Sequence, residues 1–144
     1  MRVVAGLHLA QADVMIQVWR DKYRYQTARP VTLLSETEPG WGSYLVNPPF
    51  PAYPSGHAAV SVAAARYLAE TIGDRPFTDD GSLENPRGMT VLNIAPRSFP
   101  SFEAAGVEAG LSRLWGGIHT RDDIEGGRRI GECVSALHVA DRTG

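Results

Sequence analysis

Asn47-Pro48-Pro49-Phe50-Pro51-Ala52-Tyr53-Pro54-Ser55-Gly56-His57 runs straight into an alanine-rich stretch over residues 58–72, and the change of character at Ser55 decides how the chain is read. Pro48, Pro49, Pro51 and Pro54 hold the approach extended, because each fixes its own φ and pushes its predecessor away from helix. The stretch that follows has helical period: Val60, Ala63, Ala64, Tyr67, Leu68 and Ile72 are expected on one side, and Gly73 is placed to stop it. Ser55 is a good N-cap, and Gly56 has no Cβ to keep an anion from its N–H. The first amides of such a helix point at whatever sits there, and oxyanions bind helix starts of this kind. Taken alone, Ser-Gly-His describes equally well a capped helix with a solvated histidine.

Toward the N-terminus, Leu7, Ala10, Val14, Val18 and Trp19 recur at three- and four-residue steps, predicting an amphipathic helix from about Val4 to Tyr25. Lys22 and Arg24 suit its C-terminal end, and Pro30 stops it just after Arg29. Residues 31–54 keep no period and read as a loop, with turns at Pro39-Gly40-Trp41-Gly42. Residues 74–100 read as a second loop containing one short extended piece at Met89 to Ile94. Ser101 caps a third helix reaching about Trp115 through Ala105, Ala109, Leu111 and Leu114, with Gly116-Gly117 ending it. Asp122 or Asp123 is expected to cap a fourth, bearing Ile124, Ile130, Val134 and Leu137. The expectation is an all-α bundle of about four helices with two long loops, one domain over residues 1–144.

Composition narrows the function. A net charge of −2 argues against nucleic acid or an anionic membrane surface as the main partner, so any positive site is local. Cys133, the single cysteine, rules out an intramolecular disulfide and a cysteine metal cluster. No apolar run approaches the roughly 20 residues of a membrane span, so the chain reads as not membrane-embedded. Its start, Met1-Arg2 followed by an apolar run to Ala10-Gln11-Ala12, weakly imitates a signal peptide, but His8 interrupts it and it runs directly into the first helix. Cytoplasmic and secreted locations both stay open.

Three separated pieces gain meaning together: Lys22-x(6)-Arg29-Pro30, Pro54-Ser55-Gly56-His57, and Ser112-Arg113-x(5)-His119-x(3)-Asp123. In this order they resemble the superfamily of type 2 phosphatidic-acid phosphatases, bacterial acid phosphatases and vanadium-dependent haloperoxidases, over nearly the whole chain from about Trp19 to beyond Gly131. The approach from Pro48 to Ala58, Arg97-Ser98-Phe99 and the stretch from Ser112 to His119 look like the haloperoxidase branch. Trp19, three residues before Lys22, and Phe50, seven before His57, sit where chloride-oxidising members carry a tryptophan and a phenylalanine. Members of the resembled family are generally longer, with further helices before the first motif, whereas this chain begins at that helix; that difference in length motivates reading the chain also as a remnant that keeps the motifs without turnover.

The residues themselves lead to a compatible chemistry. Lys22, Arg29 and Arg113 supply three positive charges with directional donors for a bound oxyanion, and Ser55 and the Gly56 amide add neutral donors. Such a set stabilises charge on equatorial oxygens in phosphoryl transfer, and would hold vanadate for the same reason. His119 is the expected nucleophile toward phosphorus or axial nitrogen ligand of vanadium, and must be neutral at that nitrogen. Asp123 would orient its ring from behind, and His57 would move a proton on the opposite side. Plainer readings stand beside these. Lys22 and Arg29 also suit a solvated helix end, Asp123 an N-cap, and Trp19 and Phe50 ordinary core positions; Arg121, Asp122, His8 and His138 read as structural or surface groups. The surrounding cations disfavour zinc.

The resemblance therefore implies a vanadate-dependent haloperoxidase-like enzyme oxidising halide with hydrogen peroxide, vanadium acting as a Lewis acid without changing oxidation state. A soluble acid phosphatase acting on a phosphate ester through a phosphohistidine at His119 is the second reading. A non-catalytic phosphate-binding remnant is the third. Four helices in a short chain also leave an apolar face without cover, which favours a homodimer or an incomplete domain.

Overall fold

The structure is a computed structural model and describes residues 2–84 and 90–140. Four long helices carry it: α1 (Arg2–Tyr25), α3 (Gly56–Ile72), α4 (Phe102–Trp115) and α5 (Arg121–Ala140), with a one-turn helix α2 (Pro30–Leu33) after α1. That turn falls where the sequence predicts only loop. Pro30 opens it at the first helical position, where its fixed φ suits a helix and its missing N–H costs nothing.

Central α3 packs on α1, α4 and α5. The reason is side-chain size. Ala58, Ala59, Ala63 and Ala65 are buried along it, and they meet glycines on the neighbouring helices. A Cβ built on Gly110 would lie 3.1 Å from the Ala58 Cβ, and one on Gly106 would lie 2.9 Å from the Ala65 Cβ. Glycine thus brings the helices close at these positions, and a methyl group would force them apart. Val14, Val18, Ala59 and Ala63 form the central cluster, with Val60, Ile130 and Val134 packed against it.

The period is right but the buried faces differ in detail. On α3 the buried set is Ala58, Ala59, Val62, Ala63, Ala65 and Tyr67, while Ile72 is exposed. On α4 only Gly106 and Gly110 are buried, in place of the expected aliphatic row. On α5 the fully buried positions are Asp123, Gly126, Gly127, Gly131 and Ser135, and Leu137 stands 65% exposed. Glycine carries no hydropathy, so a face built on close approach is invisible to a hydrophobic period.

Ser55 and Ser101 cap α3 and α4 as expected, their side chains accepting from the amides of Ala58 and Ala104. Gly73 and Gly117 end α3 and α4 at φ values of 81° and 74°, where a Cβ would be strained. Between α3 and α4, strand β1 (Phe77–Asp79) pairs antiparallel with β4 (Arg97–Phe99), and β2 (Ser82–Glu84) pairs with β3 (Thr90–Asn93) inside it. The expected extended piece is β3; Met89 lies outside the described residues. Its three companion strands were not expected, since three residues are too few to show a period of two. Phe77 stacks on Phe99 at 5.4 Å and touches Phe102 at 5.3 Å, which seats this ribbon on the start of α4.

Candidate active site

Lys22, in the last turn of α1, is 2% exposed, and its ammonium donates to three carbonyls of the proline-rich approach: Pro51 at 2.9 Å, Ala52 at 2.8 Å and Pro54 at 2.7 Å. Arg29, also buried, donates through Nε to Phe50 O at 3.1 Å and through Nη1 to Ile118 O at 2.7 Å. Prolines leave carbonyls without returning N–H groups, and the two cations satisfy them. The loop over residues 47–55 is therefore wrapped around fixed positive charge. All three Lys22 N–H groups are committed in this way, so at this geometry Lys22 offers a bound anion its charge, and an N–H only in exchange for a carbonyl.

His119 follows the turn after α4 and is 5% exposed. Its Nδ1 lies 3.2 Å from Oδ2 of Asp123, one turn further on, and that same oxygen accepts from the Thr120 N–H at 2.8 Å. Thr120 Oγ1 in turn accepts from the Asp123 N–H at 3.3 Å. The pattern is a reciprocal helix cap, so Thr120 rather than Asp122 or Asp123 caps α5, and Asp123 is held in place by the helix start it closes. Burial raises Asp123, but the bonds from His119 and Thr120 outweigh it and hold the carboxyl below its usual range. With Nδ1–H given to Asp123, Nε2 carries the lone pair.

His119 itself is lowered by burial, against the pull of Asp123, with Arg29 and Lys22 adding to the lowering. His57, on the first turn of α3, is lowered by burial, by Arg113 and by His119. Both imidazoles are neutral near pH 7 for that reason. Lys22 falls from 10.5 to about 8 through burial and then Arg29, with Asp123 opposing. These mutual influences place Lys22, Arg29, His57, Arg113, His119 and Asp123 in one electrostatic cluster. Ser55, fully buried, joins it through its N–H, which donates to the Asp123 carbonyl at 2.8 Å.

Three cations face one carboxylate, and the buried Nε of Arg113 has no hydrogen-bond partner among the described residues. That excess of charge and donors fits a tetrahedral or trigonal-bipyramidal oxyanion such as phosphate or vanadate. Among the described residues no group of three or more His, Cys, Asp or Glu side chains could hold a metal cation. Gly56 opens α3 beside this cluster. A Cβ there would come no closer than 3.8 Å to Val18, so packing within the chain does not itself demand glycine.

Trp19 and Phe50 meet edge to face at 4.9 Å, and the Phe50 ring lies 5.4 Å from Lys22 Nζ and 5.3 Å from Arg29 Cζ. All ten residues singled out in the sequence thus belong to one neighbourhood. Thr120 and Thr27, whose hydroxyl accepts from the Tyr53 N–H at 2.8 Å, were missed. Thr120-x-x-Asp123 is a legible capping pattern, whereas Thr27 carries no local signal. His138 pairs with Asp13 at 2.8 Å, away from the cluster. Among the described residues no helix is long and apolar enough to cross a membrane.

The family described as the VCPO second helical-bundle domain matches residues 34–143. A vanadium chloroperoxidase of Curvularia inaequalis is 26% identical over 90% of this chain and 29% of its own length. The solved structure of a bacterial vanadium-dependent iodoperoxidase superposes with a TM-score of 0.82 at 38% identity, covering 97% of this chain and 33% of that one. A holo-type bacterial vanadium-dependent chloroperoxidase gives 0.68 at 25% identity, over 95% of this chain and 35% of that one. The chain spans about a third of the length of these relatives.

Proposed function

Because the chain belongs to the family of the VCPO second helical-bundle domain, we propose that residues 1–144 form a single domain that holds vanadate for a haloperoxidase reaction, the oxidation of halide by hydrogen peroxide. The observation that carries this reading is the pairing of a buried cationic cluster with a carboxylate-steered histidine. His119 would present Nε2 as the nitrogen ligand, its ring fixed by Asp123 through Nδ1. Lys22 and Arg29 would supply charge from beneath the proline-rich loop, and Arg113 would give its unpartnered Nε–H. The Ser55 hydroxyl and the Gly56 amide at the start of α3 would add neutral donors.

The chemistry supplied by vanadate, when bound, is Lewis-acid activation of peroxide at constant oxidation state. The chain supplies the rest. His57, held below its usual pKa by desolvation, by Arg113 and by His119, would take up a proton from the incoming peroxide. Trp19 and Phe50 make an apolar wall beside the cations, where a weakly hydrated halide can lose water at low cost.

The test uses metal-free protein with hydrogen peroxide and bromide, with and without added vanadate, beside a phosphate-ester assay on the same sample. Turnover of bromide only with vanadate supports the reading. Ester hydrolysis without halide oxidation would assign the same cradle to a phosphatase acting through His119. Oxyanion binding with neither activity would make the chain a binding domain.

A further inference from the structure

Pro48, Pro49, Pro51 and Pro54 leave main-chain N–H groups only on Phe50, Ala52 and Tyr53 within residues 48–54. One residue, Thr27, takes two of these three. Its carbonyl oxygen accepts from the Ala52 N–H at 3.1 Å, and its Oγ1 accepts from the Tyr53 N–H at 2.8 Å. The carbonyls of the same loop go to Lys22 and Arg29, so residues 22–29 hold the loop by both kinds of main-chain group. Gln26 brings Thr27 into place. Its N–H donates to the Lys22 carbonyl at 2.9 Å and its φ of 48° is left-handed, which stops α1 at Tyr25 and turns the chain toward the loop.

We propose that Thr27 is a positioning residue for the oxyanion cradle: its hydroxyl sets the main chain at Tyr53, and through it the Ser55 and Gly56 donors and His57. The inference rests on reading the cationic cluster as that cradle. Tyr53 is the last residue before Ser55 with an N–H to hold, because Pro54 has none. The next N–H, that of Ser55, donates to the Asp123 carbonyl at 2.8 Å. Residues 53 and 55 are therefore fastened to different elements, one to Thr27 and one to α5, and between them they fix the span where the loop becomes helix α3. The Tyr53 ring reaches the same two elements. It meets Tyr25 edge to face at 5.4 Å and lies against Gly126 of α5, where a Cβ would collide with it. Thr27 itself is exposed, so water can replace its hydroxyl at the Tyr53 N–H and the fold loses little. A fixed position for Tyr53 is what water does not supply.

Phosphate titration calorimetry, thermal melts and amide hydrogen exchange on the wild-type chain, Thr27→Val and Thr27→Ser test this. Valine keeps the branched shape and removes the hydroxyl. Thr27→Val should bind phosphate about 2- to 10-fold more weakly, the reach of one neutral hydrogen bond, with its melting temperature held. Thr27→Ser keeps the hydroxyl and should bind as the wild type does. Exchange supplies the readout that a purely local bond would not move. In Thr27→Val the Ser55 amide, which is bonded to Asp123 and not to Thr27, should lose protection together with the Tyr53 amide. Loss of protection at Tyr53 alone would overturn the role of Thr27, as would a valine variant that binds phosphate as tightly as the wild type. So would a serine variant as weak as the valine one, or a valine variant that melts early in proportion to its lost affinity. Wild-type protein that binds neither phosphate nor vanadate would instead overturn the cradle, and the role of Thr27 with it.

Discussion

The main-chain N–H of Ser55 donates to the carbonyl oxygen of Asp123 at 2.8 Å. This bond joins the first turn of α5 to the start of α3, and with them the residue that holds His119 to the residue that opens the proposed oxyanion cradle. Gly127, one turn along α5, makes the approach possible, since a Cβ there would collide with the Ser55 carbonyl and lie 3.0 Å from the Ala58 Cβ. The two halves of the candidate site are thus positioned by backbone, and the side chains follow.

Gly127→Ala should therefore cost stability, about 1–3 kcal/mol or more as overpacking does, because the obstacle is backbone that cannot swing away. Gly56→Ala should behave oppositely. Its Cβ meets nothing closer than 3.8 Å and alanine is the better helix former, so the melting temperature should hold or rise while oxyanion affinity falls. Paired thermal melts and phosphate titrations of the two variants check this; equal stability losses would remove the distinction drawn between the two glycines.

Asp123→Asn tests the steering of His119. The amide oxygen can occupy the place of Oδ2 and keep both the His119 and Thr120 bonds, so the fold should survive, but the charge that makes Nε2 basic is gone. Vanadate affinity should drop about 10–100-fold, the usual effect of removing a partner behind a ligating histidine. Asp123→Ala should in addition lower the melting temperature, because the Thr120 N–H loses its acceptor. Equilibrium dialysis of vanadate, with melts alongside, separates the two effects.

Much of this was legible in the chain. The caps at Ser55 and Ser101, the stop at Gly73 and the four-residue step from His119 to Asp123 follow local rules that a sequence displays. The grip of Lys22 and Arg29 on the loop was not legible, because its acceptors are main-chain carbonyls that every residue owns. Nor were the glycine faces of α4 and α5, or strands only three residues long.

Lys22 gives the site a pH dependence whose sign follows from its position. Burial, then Arg29, lowers it from 10.5 to about 8, so between those values the unfolded chain keeps a proton that the folded chain has shed. Stability of the anion-free protein should accordingly rise as pH goes from 8 toward 10.5. Anion binding runs the other way, since it favours the charged ammonium. Sulfate, whose charge is constant across this range, should bind up to about tenfold more weakly per pH unit above 8, and the slope should vanish in Lys22→Met. Calorimetric titrations at several pH values would show it; a flat profile in the wild-type protein would remove Lys22 from the binding charge.

Phosphate and vanadate should compete reciprocally at one site. On the proposed reading Lys22, Arg29 and Arg113 would present charge, and Ser55 and Gly56 neutral donors, to the oxygens of the ligand rather than to its central atom. Either anion should therefore neutralise the same excess charge and take the same unpartnered Arg113 Nε–H. Phosphate should slow reconstitution by vanadate, vanadate should displace bound phosphate, and linkage requires the two effects to be equal in free energy. Arg113→Ala should weaken both anions together, by roughly the 1.5–3 kcal/mol of a hydrogen bond to a charged group. His119→Ala should separate them, costing vanadate far more than phosphate, because on the proposed reading only vanadium would gain a nitrogen ligand there. The measurement is a titration of each anion against the other at fixed pH in wild type and both variants. Protein that binds phosphate measurably, yet takes up vanadate undisturbed at any phosphate excess, would have two sites and no common cradle.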